Sequence, residues 1–319
     1  MSKESHDKLN QIESFGRILL NKKNMKKAVC FGEVLWDIFP GKERIGGAPL
    51  NVASRLCSLG FNTEIISQVG DDEKGKKILS YLSSNKVGIQ NISVDDQYPT
   101  GTVNVSLSPE GSATYEIAYP AAWDKIHLTT EKVKAVEESD VFVYGSLICR
   151  DVISKMTLFE LLPKARFKVL DFNLRAPHYT SELLLKLIQY ADFIKFNDEE
   201  LSEIATLMGS KFNSIEQNIS FVSKQTNASS ICVTMGSKGA ILLHDGQWYS
   251  NGGYKISVKD TVGAGDSFLA TLLVKIMSGM EVQKSLDYAC AIGALVASQE
   301  GANPMLDEAV INSLMFPKG

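Results

Sequence analysis

The chain has 319 residues, 44% hydrophobic and 22% charged, with a formal net charge of −4. This is the composition of a soluble globular protein with one large domain or two modest ones. The mild negative charge offers no footprint for nucleic acid or an anionic membrane, and no apolar run approaches the length of a spanning helix.

Residues 1–24 show neither the apolar core nor the cleavage pattern of a secretory signal. Leu9, Ile12, Phe15 and Leu19 could line one face of a short helix. The segment reads as an extension, with a single domain expected over 25–319. Met25 precedes the first strand-like run, "AVCFGE". Just beyond it, Asp37 offers a carboxylate that can accept hydrogen bonds from two neighbouring hydroxyls, as in a sugar diol. Alone, it would be an ordinary loop acid. "WDIFPGKERIGG" then reads as a short hairpin.

"GGAPLNVASRLCSLG" reads as a helix with Pro49 at its first position, a stripe of Val52, Leu56 and Leu59, and Gly60 past its end. Asn51 falls in the first turn, where its amide either meets a ligand hydroxyl or solvates the helix end. From Tyr98 to Tyr119 the pattern alternates around Pro109–Gly111, which predicts antiparallel strands. These strands, at about 98–120, and the hairpin, at about 36–48, are expected to form a small β appendage.

"VFVYGS", "FKVLDFNLR", "DFIKFNDEE" and "SICVTMGSKG" are apolar runs that end in polar turns. Their cores are mostly continuous rather than alternating, as in strands buried on both faces. Amphipathic segments such as "SELLLKLIQYA" lie between several of them. The alternation predicts an α/β fold, a doubly wound, mostly parallel sheet with helices on both faces. Ligands bind such sheets outside the carboxyl ends of the strands, so the polar turns should converge there. Arg175 suits a phosphoryl group or an anionic sugar, or else a surface ion pair. Asn197 and Glu200 make a capping box locally; beside nucleotide phosphates, Glu200 would suit a hydrated Mg²⁺.

In "DTVGAGDSFLATLLVKIMSG", Gly263-Ala264-Gly265 is a tight turn that opens a helix apolar almost all round. The free amides of its first turn form an anion site. Asp266 could be only a first-turn acid. The five cysteines form no C-x-x-C pair, which suits free thiols in a reducing cytoplasm, and the four histidines show no metal-ligand spacing.

Together these motifs resemble the ribokinase-like PfkB carbohydrate kinases from about Ala28 to Pro304. "GGAPLNVASRLCSLG" is similar to the family's N-terminal signature and "DTVGAGDSFLA" to its C-terminal one. "NDEE" and "TMGSKG" match its N-x-x-E and T-x-G-x-x-G. "GEVLWDIFP", "AAWDKI" and "DFNLR" are most similar to bacterial fructokinases, although Phe172 stands where many relatives have proline.

The resemblance implies a β lid over a sugar, with ATP and Mg²⁺, and usually K⁺, as cofactors. It places Asp37, Gly47 and Asn51 on sugar hydroxyls, with Val103, Val105 and Ile117 in the lid. Asp266 becomes the catalytic base and also a sugar contact, and Gly263, Ala264 and Gly265 the anion hole. Arg175 would steady the γ-phosphate or the sugar. Lys195, Asn197, Thr234 and Gly236 would line the phosphates, with Cys290 beside the adenine. Asp260 and the Val262 carbonyl, with a loop near Ala297 and Gly301, would hold the monovalent cation. Homodimers through the lid are common in the family.

Phosphorylation of fructose is the expected reaction. The rivals are kinases of ribose, 2-keto-3-deoxygluconate or a nucleoside, and a silent sugar or nucleotide sensor. A dinucleotide oxidoreductase lacks support, because "FGEVLWD" follows the first strand where a glycine fingerprint would stand.

Overall fold

A computed structural model describes residues 25–107 and 113–317. The helix expected near the N-terminus and the Pro109–Gly111 turn lie outside the described residues.

The described residues build one nine-stranded sheet and one four-stranded sheet. The large sheet contains β1 (Lys27–Phe31), β4 (Asn62–Gly70), β5 (Ile92–Asp95), β8 (Val141–Tyr144), β9 (Lys168–Asp171), β10 (Phe193–Asn197), β11 (Ser230–Thr234), β12 (Ala240–His244) and β13 (Gln247–Asn251). Its order is β13-β12-β11-β10-β9-β8-β1-β4-β5. All pairings are parallel except those of β12 with its two neighbours. The chain first runs outward from β1 to β4 and β5, then returns to β8 on the other side of β1. That reversal makes the switch-point crevice in which ligands of open α/β sheets bind.

Alternate residues of β1 explain the layers. Val29 and Phe31 belong to one buried cluster, Ala28 and Cys30 to another. Over the first face lie α3 (Thr130–Glu138), α4 (Val152–Leu161), α5 (Ser181–Ile188), α6 (Asp198–Leu207) and α7 (Ile215–Gln225), through residues such as Leu158, Leu187 and Ile204. Over the second lie α1 (Ala48–Ser58), α2 (Glu73–Ser84), α8 (Ala264–Met277) and α9 (Val282–Ala297), through residues such as Leu56, Leu82, Leu272 and Leu286. Both strand faces are thus dry, which is why the sequence runs are continuous rather than alternating. A last helix, α10 (Glu308–Met315), packs Ile311 against the cluster of Ala291 and Leu295.

The small sheet contains β2 (Leu35–Phe39), β3 (Lys42–Gly46), β6 (Gly101–Leu107) and β7 (Ala113–Ile117), in the order β3-β2-β6-β7. Its two hairpins are antiparallel, and β2 and β6 join them in parallel. Asp37 lies opposite Val103, and Val103 opposite Ile117. Leu35, Val103 and Val105 form its small apolar cluster, with Phe39 and Ile117 packed against it.

Where the strands of the small sheet return to the core, "AAWD" makes a buried corner. Asp124 takes two bonds of 2.7 Å from the Arg150 guanidinium, whose Nη2 also donates to the Ala118 carbonyl. The guanidinium stacks 3.9 Å from the centre of the Trp123 ring. The ion pair is almost wholly dry, at 3% and 0% side-chain exposure. Arg150→Ala should therefore destabilise the fold by about 3–5 kcal/mol, because it strands a buried carboxylate. A denaturation midpoint within error of wild type would contradict that role.

Candidate active site

The site begins at the amino end of α8. Gly263 caps the helix with φ +75°, a left-handed conformation that only glycine adopts without strain. A Cβ on Gly263 would lie 2.4 Å from the Ala302 side chain and 2.5 Å from its Cα. The turn is therefore packed against the 301–304 loop. Within it, Ala264 N donates to the Thr261 carbonyl at 3.2 Å, and Ser267 N starts the helical ladder on the Gly263 carbonyl at 2.9 Å.

Asp266 is the third residue of this helix. Its Oδ2 accepts a 2.8 Å hydrogen bond from Asn51 Nδ2 in the first turn of α1. Asn51 Oδ1 in turn accepts from Asn303 Nδ2 at 3.1 Å. One turn further along α1, Arg55 donates to Ser267 Oγ and to the Pro304 carbonyl, each at 3.1 Å. Two residues on one face of α1 thus fix both Asp266 and the loop behind it. Asn51 is only 3% exposed, so its main contact in this state is the aspartate rather than solvent.

The electrostatics of Asp266 suit proton transfer. Burial pushes its pKa up to about 6, and repulsion from Asp171 adds to this; Asn51, Lys195 and Arg175 offset it. A base with a pKa near 6 is ionised at neutral pH yet basic enough to take a proton. Asp37 on the β2–β3 hairpin is also pushed up to about 6, mainly by burial, with Arg175 and Arg44 pulling back. Gly46 makes room for it, since a Cβ there would meet Asp37 Oδ2. Glu33, dry at 4% exposure, is raised to about 7 by burial. Arg175 is itself exposed, but its charge acts on all three acids. Both Asp37 and Asp266 ionise only as pH rises through about 6, so catalysis that needs both as carboxylates is lost as pH falls through that value. The acid limb of kcat/KM should lie near pH 6 with a slope above one, and a flat profile from about pH 5 to 8 would contradict these assignments.

Lys195, in the middle of β10, approaches the turn from the sheet side. A Cβ on Gly265 would sit 3.3 Å from Lys195 Nζ. Its ammonium bonds Asp171 Oδ1 at 2.9 Å. Burial pulls the lysine pKa down, but Asp171 and Glu200 outweigh it and hold the ammonium charged. Asp171 Oδ2 is buried with no partner among the described residues.

Asn197 caps α6, and Glu200 closes the capping box: Glu200 Oε2 accepts from Asn197 N at 2.8 Å and Oε1 from Leu174 N at 3.0 Å. The local expectation therefore holds, and Glu200 also pins the loop that carries Arg175. Burial raises the Glu200 pKa, with Lys195 opposing. Among the described residues no three His, Cys, Asp or Glu side chains form a metal cage. The orphaned Asp171 oxygen and Glu200 instead fit a Mg²⁺ that keeps most of its water.

On the far side of the turn lies a cavity of about 590 Å³ lined by Thr234, Gly236, Tyr254, Ala264, Gly265 and Cys290, among others. Its volume suits a cofactor-sized ligand. Burial pushes the Cys290 thiol up to about 12, so it is a wall and not a nucleophile.

The structure thus brings Asp37, Gly47, Asn51, Arg175, Lys195 and Asp266 around one end of the sheet, with Thr234, Gly236 and Cys290 beyond the turn. Val103, Val105 and Ile117 sit among the small sheet's own apolar residues. Asp260, Val262, Ala297 and Gly301 gather behind the turn: Asp260 accepts from the Val262 and Gly301 amides at 3.1 and 3.2 Å, and Lys259 and Asp260 donate to the Ala297 carbonyl. Sequence reasoning missed Asp171, Asn303, Arg55 and Arg44. Only Asp171 carried a signal, as an acid at the carboxyl end of an apolar run.

A family model described as "pfkB family carbohydrate kinase" matches residues 10–309. The chain is 29% identical to fructokinase-2 of Solanum lycopersicum, over 88% of this chain and 93% of that protein. It is 28% identical to a fructokinase of Escherichia coli, over 86% and 94%. A sugar kinase from Pyrococcus horikoshii, solved in complex with ATP, superposes with a TM-score of 0.74 at 26% identity, covering 86% of this chain and 93% of that one.

Proposed function

Because the chain belongs to the pfkB family of carbohydrate kinases, we propose that it transfers the γ-phosphoryl group of ATP to a primary hydroxyl of a hexose, with fructose O6 as the acceptor. The observation that carries this reading is the placement of Asp266. It sits at an amide-lined turn, held by Asn51, between the lid hairpin of Asp37 and the 590 Å³ cavity.

In this reading Asp37 accepts hydrogen bonds from a sugar diol, and Asp266 takes the proton of the attacking hydroxyl. The oxygen bonds to the γ-phosphorus, and the bond to the bridging oxygen of ADP breaks. The Gly263–Gly265 amides, the helix start and Lys195 stabilise charge on the group in transit, while Arg175 steadies the γ-phosphate or the sugar. Positioning and electrostatics supply most of the acceleration in such transfers. Asp171 and Glu200 would hold a hydrated Mg²⁺, which when bound neutralises phosphate charge. Lid closure excludes water and limits wasteful hydrolysis of ATP.

Among the described residues no helix is long and apolar enough to cross a membrane. Free cysteines throughout suit a cytoplasmic site of action. The lid edges offer a surface for a second copy, which sedimentation in the analytical ultracentrifuge would test.

Fructose as acceptor rests on the fructokinase relatives and on "GEVLWDIFP" and "AAWDKI". The test is ADP release with a panel of fructose, ribose, 2-keto-3-deoxygluconate and a nucleoside. A kcat/KM highest for fructose supports the reading. Preference for another member transfers the substrate to that sugar, and binding without ADP release makes the protein a sensor.

A further inference from the structure

The loop behind the glycine turn carries a cation from the protein itself. Arg44 lies on β3 directly across the ladder from Asp37. Its Nη1 pairs with Asp260 Oδ2, and its Nη2 donates to Glu300 Oε2 at 2.9 Å. These partners are 216 and 256 positions away in sequence. The Arg44–Asp260 pair is mostly shielded, at 22% and 18% side-chain exposure.

Two of the oxygens expected around potassium, Asp260 Oδ2 and the Ala297 carbonyl, already carry two donors each. Asp260 Oδ2 receives both the guanidinium and the Gly301 amide, the latter at 3.2 Å. Asp260 Oδ1 accepts from the Val262 amide at 3.1 Å. The Ala297 carbonyl accepts from Lys259 N at 2.9 Å and from Asp260 N at 3.2 Å. An oxygen with two lone pairs and two donors has none left for a metal. Burial raises the Asp260 pKa, but the two amides and then Arg44 outweigh it, so the carboxyl is held below its usual value and anionic. With these two oxygens filled and Arg44 seated on Asp260, the donor set fits a guanidinium better than a bound alkali cation.

We propose that Arg44 is the resident cation of the Asp260 loop. It neutralises Asp260 where a monovalent metal would otherwise do so. Through the same contact it sets the Asp37 hairpin relative to the turn that carries Asp266. Arg44 is thus a positioning residue that joins the sugar-binding hairpin to the phosphoryl-transfer turn. The inference rests on the kinase reading of this site. An ordinary surface ion pair would behave differently, since its loss costs little and creates no cation requirement.

The test compares wild type with Arg44→Gln, Arg44→Ala and Arg44→Lys in potassium chloride or tetramethylammonium chloride at equal ionic strength. Wild type should release ADP at rates within about twofold in the two salts, whereas Arg44→Gln should lose about tenfold or more without potassium. Potassium should restore at least about half of that loss on a logarithmic scale, and the variant's KM for sugar should rise because the Asp37 hairpin is released. Arg44→Lys, with charge but no fork, should fall between them.

A second arm needs no turnover. In the presence of ADP, thallium(I) NMR should detect saturable binding to Arg44→Gln and Arg44→Ala but not to wild type, and potassium should raise the melting temperature of the variants alone. Strong potassium activation of wild type would overturn the proposal. So would a variant with unchanged rates, or one whose loss potassium does not repair. If no sugar yields ADP in either salt, the kinase reading fails, and the thallium and melting arms still decide the role of Arg44.

Discussion

Asp266→Asn should lower kcat by about 10³-fold, within the range seen when a positioned general base is removed. The amide keeps the size of the carboxylate and an oxygen to accept from Asn51 Nδ2, which lies 2.8 Å from Oδ2. Sugar affinity should therefore stay within about threefold of wild type, because the interaction lost belongs to the transition state. Stability supplies an independent check. The folded pKa of Asp266 is about 6, above its ordinary value of 3.8, so the native state resists ionisation that the unfolded chain accepts freely. Stability is thus lost as pH rises from about 4 to about 6 and is not regained above that. The neutral Asp266→Asn variant escapes this cost. It should melt higher than wild type at about pH 8, with the gap closing towards about pH 4. A variant that is inactive and also less stable at about pH 8 would point to a structural role instead.

Gly263→Ala should damage both fold and catalysis. Its φ of +75° is costly for alanine, by about 1–2 kcal/mol. The new Cβ would also fall 2.4–2.6 Å from three atoms of Ala302. That loop cannot easily yield, because Asn303 is tied to Asn51 and Pro304 to Arg55. The turn must move instead, and a shift of about 1 Å in a catalytic group can cost about 10²-fold in rate. The expected result is a kcat lowered by about two orders of magnitude and a melting temperature several degrees down. Gly265→Ala is the contrast. It has no left-handed φ, and its Cβ would meet only the Lys195 side chain, at 3.3 Å for Nζ and 3.9 Å for Cε. It should lower kcat with little loss of stability. Equal melting temperatures for Gly263→Ala and wild type would contradict this role of the turn.

What could be read from the sequence was local or periodic. The continuous apolar runs pointed to strands buried on both faces, and β1 supplies the two faces. The glycine turn and the apolar helix of "DTVGAGDSFLATLLVKIM" were legible because turn, cap and burial pattern all lie within one stretch. The Asn197–Glu200 capping box was legible for the same reason, as both residues sit within one helical turn. The hidden features are pairings across the fold. Asn303 reaches Asn51 over 252 positions and Arg44 reaches Asp260 over 216, and no spacing rule spans such distances. Arg44 in "GKERIGG" looks like any exposed hairpin charge until the small sheet is placed against the loops of Asp260 and Glu300. The position of Asp266 in the sequence admitted both a helix-start acid and a base. Its Asn51 partner and its raised pKa favour the base.

The kinase reading is tested most directly by ³¹P NMR of the purified protein with MgATP and fructose. A phosphate-monoester resonance from the 6-position of fructose should grow in step with ADP, and should be absent with Asp266→Asn. Inorganic phosphate in place of the ester, or ester formation by Asp266→Asn at the wild-type rate, would contradict it.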